Sequence, residues 1–216
     1  MKTKIKALLF DLDGTLLNTD ELVIRSYERV FETFRPDYPL SEEEKQGFLG
    51  PTLEEKFAHY FEEDFDTLLE VYHTFALAHM KEFASGYPHV KEVLTQLKKE
   101  GYFLGVVTSR FRESALEVLD GFGLTSLFDT IVTLSDVKEA KPSPEGILSA
   151  MRTGGFGNEE VLFLGDASTD YLAGKNAGVF TGLVSWCKRW DRDECQPDFV
   201  LNDFEDLEKI LQEEKM

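Results

Sequence analysis

Five short apolar runs constrain this chain more than any other feature. They occupy residues 5–10, 103–107, 131–134, 161–164 and 179–184. Each has the length of a buried strand and stops at a polar or turn-forming residue. Helical spacing fills the gaps. Val90, Val93, Leu94 and Leu97 precede the second run; Ala115, Val118, Leu119 and Phe122 follow it. Further helices are expected from Ser143 after Lys141-Pro142, after Asp166, and over Phe204, Leu207, Ile210 and Leu211. Strands alternating with helices give an α/β fold, a parallel sheet covered by helices on both faces.

One stretch departs from the alternation. Between about residues 19 and 84 the spacing is helical throughout, as in Val23, Tyr27, Val30, Phe31 and Phe34, and again in Leu68, Tyr72, Phe75, Ala76, Met80 and Phe83. Pro36, Pro39 and Gly50-Pro51 divide it into about four helices. The expectation is a core of residues 1–17 and 85–216 and a small all-α insert at 18–84, hinged near Leu17-Asn18 and Ser85-Gly86. Ligands of open α/β sheets lie beyond the carboxyl ends of the strands, so an insert leaving the first strand there would serve as a lid.

Composition narrows the class of partner. The 216 residues carry 41 Asp and Glu against 23 Lys and Arg, a formal net charge of -18. That balance repels nucleic acid. It does not exclude a small anion, since charges beyond about 8 Å are screened at physiological salt and local groups decide. Clusters such as Glu42-Glu43-Glu44 and Glu62-Glu63-Asp64 read as solvated helix ends. The 42% hydrophobic share and 18 Phe suit a packed interior. No apolar run approaches the roughly 20 residues of a membrane span, and the first ten residues turn acidic too soon for a secretory signal. A cytoplasmic protein, monomer or homodimer, is expected. Cys187 and Cys195 are too few for a disulfide scaffold and read as reduced thiols. His59, His73, His79 and His89 have no metal-site spacing, and Trp186 and Trp190 read as packing residues.

The chemistry-bearing residues cluster where apolar runs end. Asp11-Leu12-Asp13-Gly14-Thr15 follows the first: two carboxylates one residue apart can divide attack and proton transfer, and Gly14 permits a tight turn that offers N–H groups to an anion. An Asp-rich turn without function has the same look. Thr108, Ser109 and Arg110 follow the second run, where a hydroxyl and backbone N–H groups suit a phosphoryl oxygen; a plain cap is the alternative. Lys141 stands before Pro142, which suits a first helical position. Gly165-Asp166-Ala167-Ser168-Thr169-Asp170 follows the fourth run; its i, i+4 carboxylates suit Mg²⁺, or else an N-cap with a first-turn acid. All four elements fall at the same edge of one sheet.

In this order, Asp11 to Thr15, Thr108, Lys141-Pro142 and Gly165-Asp166 with Asp170, the chain resembles the haloacid dehalogenase (HAD) superfamily phosphatases with a helical cap, over nearly its whole length. Asp11-Leu12-Asp13-Gly14-Thr15-Leu16, Gly50-Pro51, Lys141-Pro142-Ser143-Pro144-Glu145 and Leu172-Ala173-Gly174-Lys175-Asn176-Ala177-Gly178 are similar to the phosphoglycolate phosphatase group, including its inorganic pyrophosphatase members. The resemblance implies a Rossmann-like core and a Mg²⁺-dependent phosphohydrolase. Asp11 would be the nucleophile and become an aspartyl phosphate, with Asp13 as acid and base. Asp11, the Asp13 carbonyl and Asp166 would hold Mg²⁺, with Asp170 in support. Thr108, Ser109, Lys141 and Gly14 would bind phosphate. Gly50, Pro51 and Arg110 are candidates for specificity, whereas Arg25 and Lys56 read as solvated cations. The substrate would be a small phosphorylated metabolite, phosphoglycolate or a sugar phosphate, or else pyrophosphate. The competing readings are a phosphomutase of the β-phosphoglucomutase type and a non-catalytic anion-binding regulator. Asp13 and Asp170 disfavour carbon-centred dehalogenation.

Overall fold

The computed structural model of the protein describes residues 5–50, 52–187 and 189–215. Two compact units result: one runs to Leu17 and resumes at Gly86, and the other is Asn18–Ser85.

In the first unit, strands β1 (Ala7–Phe10), β4 (Phe103–Val107), β5 (Thr130–Val132), β6 (Val161–Gly165), β7 (Phe180–Val184) and β8 (Phe199–Leu201) form a sheet in the order β5-β4-β1-β6-β7-β8, parallel throughout. Two-residue strands β2 (Leu17–Asn18) and β3 (Ser85–Gly86) pair separately. The apolar runs became strands because both sheet faces are covered. Along β1, Ala7 and Leu9 face one layer while Leu8 and Phe10 face the other, and all four are buried.

Helices α5 (Val90–Lys99), α6 (Arg112–Gly121), α7 (Glu145–Gly154), α8 (Ser168–Ala177) and α9 (Asp206–Lys215) cover the sheet. Ala7, Leu9, Val107 and Phe163 pack with Ile147, Ala150 and Met151 of α7 and Ala173 and Ala177 of α8. On the opposite face the Phe10 ring meets Phe204 at 5.8 Å between centroids. Three short 3₁₀ turns, Thr125–Leu127, Leu134–Asp136 and Asn158–Glu160, lead between elements.

The second unit holds α1 (Asp20–Phe34), α2 (Glu42–Gln46), α3 (Leu53–Tyr60) and α4 (Phe65–Phe83), so the helical insert after the first strand is present. Ser41 with Glu44, Thr52 with Glu55, and Asp64 with Thr67 cap the starts of α2, α3 and α4; the acidic clusters are helix ends. Its core is aromatic. Tyr27 stacks on Phe48 at 4.3 Å and meets Tyr72 and Phe57 edge-on at 5.2 and 5.6 Å.

Two expectations need correction. The sheet has a sixth strand, β8, which is three residues long at an edge, with Val200 exposed; its apolar run, Phe199 to Leu201, is too short to mark a strand. Helix α7 starts at Glu145, not at Ser143, and Pro142 is not its first residue. Ser143 precedes Pro144, and a residue before proline is disfavoured in the helical region.

Candidate active site

The carboxyl ends of β1, β4 and β6 carry the expected residues, and β1 pairs with both of the other strands. The Asp11 N–H donates to the Leu164 carbonyl at 2.8 Å, extending the alignment with β6 one residue beyond the strand, and the residue is 5% exposed. Asp166 follows β6 directly and is 2% exposed. Asp170, in the first turn of α8, accepts at Oδ2 from the N–H groups of Asp166 at 3.1 Å and Ala167 at 3.0 Å. It therefore caps its helix and also joins the site. One carboxylate oxygen from each of Asp11, Asp166 and Asp170 lies within 4.8 Å of the other two.

Lys141 closes this group. Its Nζ donates to Asp170 Oδ1 at 2.6 Å and to Asp11. The loop that presents it is held from two sides: Glu145 Oε2 accepts from the N–H groups of Lys138 and Glu139 at 2.9 and 3.2 Å, and Asn176 Nδ2 donates to the Pro142 carbonyl at 3.0 Å. Thr108, Ser109 and Lys141 line one depression together with Val107, Ala140 and Ser143. The Thr108 hydroxyl accepts from the Arg110 N–H at 3.2 Å. Arg110 then forks onto Asp13, Nε to Oδ2 at 2.7 Å and Nη2 to Oδ1 at 2.8 Å, while Nη1 donates to Ser114 Oγ at 2.8 Å.

Gly14 adopts φ +82, a left-handed conformation that favours glycine. A Cβ there would lie 2.3 Å from Asp166 Oδ2, so the two aspartate loops meet too closely for a side chain. Its N–H donates to the Leu17 carbonyl at 2.8 Å. That donor is committed to the turn rather than offered to an anion, and Gly14 shapes the site without presenting it. Gly50, φ +107, belongs to the helical unit, and Pro51 lies outside the described residues. Arg25 pairs with Glu28 at 3.1 Å and Glu21 at 3.5 Å, a half-exposed surface arrangement.

A family model described as haloacid dehalogenase-like hydrolase matches residues 8–184. The chain belongs to this family. The hydrolase is 38% identical over 210 residues to pyrophosphatase PpaX of Halalkalibacterium halodurans, covering 96% of this chain and 97% of that one. It is 36% identical to pyrophosphatase PpaX of Listeria monocytogenes over the full length of both. Among solved structures, CbbY from Rhodobacter sphaeroides in complex with phosphate superposes with a TM-score of 0.83 at 25% identity, covering 94% of this chain and 96% of that one. No helix among the described residues is long and apolar enough to cross a membrane.

Sequence reasoning missed two members of the hydrolase's site. Arg189 Nη1 donates to Asp166 Oδ2 at 2.7 Å, and the Trp186 indole N–H donates to the Gly14 carbonyl at 3.1 Å. Both lie in an irregular segment after β7, where no periodicity marks them. The fold also brings His89 Nδ1 to 2.9 Å from Asp203 Oδ1, beside Glu205, a grouping that spacing did not suggest. On the surface it ties the start of α5 to the turn before α9.

Burial pushes Asp11 up to about 7 from its ordinary 3.8; Lys141 opposes the rise, and the charges of Asp170 and Asp13 add to it. Burial likewise raises Asp166 well above the usual carboxylate range, aided by Asp170 and Asp11 and opposed by Arg189 and the Cys187 thiol. Burial disfavours the Lys141 charge, but Asp11 and Asp170 outweigh it and raise that group. Between about pH 4.5 and 7 the metal-free native state keeps a proton at Asp11 that the unfolded chain releases, so stability falls as pH rises through this window. In chelator, the thermal midpoint of the hydrolase is expected to be higher at pH 5 than at pH 7.5, with a weaker dependence in Asp11→Asn. Equal slopes in the two proteins would refute this assignment.

Proposed function

We propose that this hydrolase is a phosphohydrolase that forms an aspartyl phosphate on Asp11, and that inorganic pyrophosphate is its preferred substrate. What supports the chemistry is one observation: a buried group of three carboxylates, two of them held by Lys141 and the third by Arg189, with Asp13 in the grip of Arg110.

The donors fit a hard divalent cation. Asp11, Asp166 and Asp170 offer oxygen atoms only, and burial disfavours the charged forms of Asp11 and Asp166 that a bound cation would restore. Asp11, Asp166 and the Asp13 carbonyl would hold Mg²⁺, with Asp170 in support. When bound, the ion supplies positive charge against the oxygens of the transferring phosphoryl group.

An Asp11 carboxylate oxygen attacks phosphorus in line, and the bond from phosphorus to the leaving oxygen breaks. Asp13 gives its proton to that oxygen. Asp13 then takes a proton from water as the water oxygen attacks the aspartyl phosphate, and cleavage of the bond to Asp11 releases phosphate. The Thr108 hydroxyl, the Ser109 N–H and the Lys141 ammonium hold the nonbridging oxygens where water is excluded. The helical insert would serve as the lid.

Pyrophosphate is favoured by the likeness to the PpaX pyrophosphatases, at 36% to 38% identity, and by Arg110. Its guanidinium engages both oxygens of Asp13, and a distal phosphate is an anion that can draw it across, leaving Asp13 for the bridging oxygen.

The test is phosphate release, with Mg²⁺ and with chelator, from pyrophosphate, phosphoglycolate, sugar phosphates and nucleotides. Mg²⁺-dependent release from pyrophosphate at least about tenfold faster than from any monoester is expected, about 1.4 kcal/mol of preference. A faster monoester would overturn the choice of substrate; an isomeric sugar phosphate in place of free phosphate would point to mutase chemistry.

A further inference from the structure

The irregular segment after β7 ties both aspartate loops together. Trp186 holds the turn after Asp13 through the Gly14 carbonyl. Three residues later the Arg189 N–H donates to the Asp166 carbonyl at 3.2 Å, and the Arg189 carbonyl accepts from the Ser168 N–H at 3.2 Å and from its hydroxyl at 3.3 Å. A single parallel bridge thus pairs Arg189 with Ala167. The backbone anchorage sets the guanidinium on Asp166, Nη1 to Oδ2 at 2.7 Å, with the side chains only 19% and 3% exposed. Bare Gly14 backbone walls the pair, since a Cβ there would lie 2.8 Å from Nη1.

We infer that Arg189 is a positioning residue for Asp166: by engaging Oδ2 it fixes the plane in which the carboxylate meets a divalent cation, and so sets the affinity for that cation. The inference rests on the proposed role of Asp166 as a metal ligand. Two effects oppose each other. The guanidinium charge repels a cation, whereas the fixed hydrogen bond spares the cation the cost of ordering a buried carboxylate. Partners that orient metal ligands typically change affinity about 10- to 100-fold when removed, and with Asp166 this deeply buried the ordering effect wins.

Mn²⁺ is the probe, its free concentration followed by electron paramagnetic resonance against wild type, Arg189→Met, Arg189→Lys and Asp166→Asn, with chelated thermal midpoints to check folding. Arg189→Met is expected to bind Mn²⁺ about 10- to 100-fold more weakly, Arg189→Lys to fall between it and wild type, and Asp166→Asn to lose the site. The Mg²⁺ concentration for half-maximal turnover should rise in Arg189→Met while turnover at saturating Mg²⁺ largely recovers, a pattern that general loss of structure does not give. Wild-type or tighter Mn²⁺ affinity in Arg189→Met overturns the role of Arg189 alone. Wild-type affinity in Asp166→Asn overturns the metal site and the inference with it. If Arg189→Met does not fold, Arg189→Gln, neutral but still a donor, is read by the same criteria.

Discussion

Asp11→Asn is expected to lower phosphate release at least about 10⁴-fold while leaving the metal-free protein as stable as wild type, or more so, at neutral pH. The two halves have separate causes. An amide cannot attack phosphorus as a carboxylate does, so no aspartyl phosphate forms. The same carboxylate is a liability to the fold: it is buried, its pKa stands near 7, and Asp170 and Asp13 crowd it with like charge. Asparagine has nearly the same shape and carries no charge to desolvate. Lys141 keeps a partner, because Asp170 Oδ1 remains at 2.6 Å. Phosphate release and chelated thermal melts at pH 7.5 check the two halves. Residual turnover above about one per cent would remove Asp11 as nucleophile, and a lower midpoint would show that the Lys141 pair stabilises the fold more than burial of its charge destabilises it. A buried, charge-crowded group kept for chemistry at the expense of stability is a recurrent trade in enzymes.

Much of this site was legible because a parallel sheet converts sequence position into spatial position. β1, β4 and β6 all point the same way, so residues following their apolar runs meet at one edge, and Asp11, Thr108 and Asp166 did. The runs themselves were legible because strands covered on both faces need apolar residues at every position. Arg189 and Trp186 were not. Their placement depends on hydrogen bonds from an irregular segment to loops more than twenty residues or most of the chain away, Asp166 in one case and Gly14 in the other. The fork of Arg110 on Asp13 is a contact of the same kind, 97 positions apart. Gly14 was legible as a turn, but not the commitment of its N–H to Leu17.

Net charge also means something different at the site than over the whole chain. The formal charge of -18 is a sum over the whole chain. Locally, Asp11, Asp13, Asp166 and Asp170 face Lys141, Arg110 and Arg189, four carboxylates against three cations, each cation ion-paired to at least one of the four. One divalent cation more would turn that local balance positive, and under the proposed chemistry a phosphate anion could then approach a nucleophile that is itself an anion.

Gly14→Ala should be severely damaging although it removes no functional group. Two costs combine. At φ +82 a Cβ crowds its own backbone, about 1–2 kcal/mol for a left-handed residue. Besides that, the new methyl would stand 2.3 Å from Asp166 Oδ2, 2.6 Å from its Cγ and 2.8 Å from Arg189 Nη1, well inside van der Waals contact. Asp166 has little room to yield, since it is 2% exposed and its carbonyl and carboxylate both bond Arg189. Displacing a reacting group by about 1 Å costs on the order of 100-fold in rate, and the cation site is disturbed with it. Gly101→Ala supplies the control. Gly101 has φ +87 with nothing within 4 Å of the position a Cβ would take, so it carries the backbone strain without the clash. Both variants should lose similar stability from strain, and only Gly14→Ala should lose about 100-fold or more in turnover together with Mn²⁺ affinity. If Gly14→Ala turned over like Gly101→Ala, the close approach of the two aspartate loops would not be what organises this site.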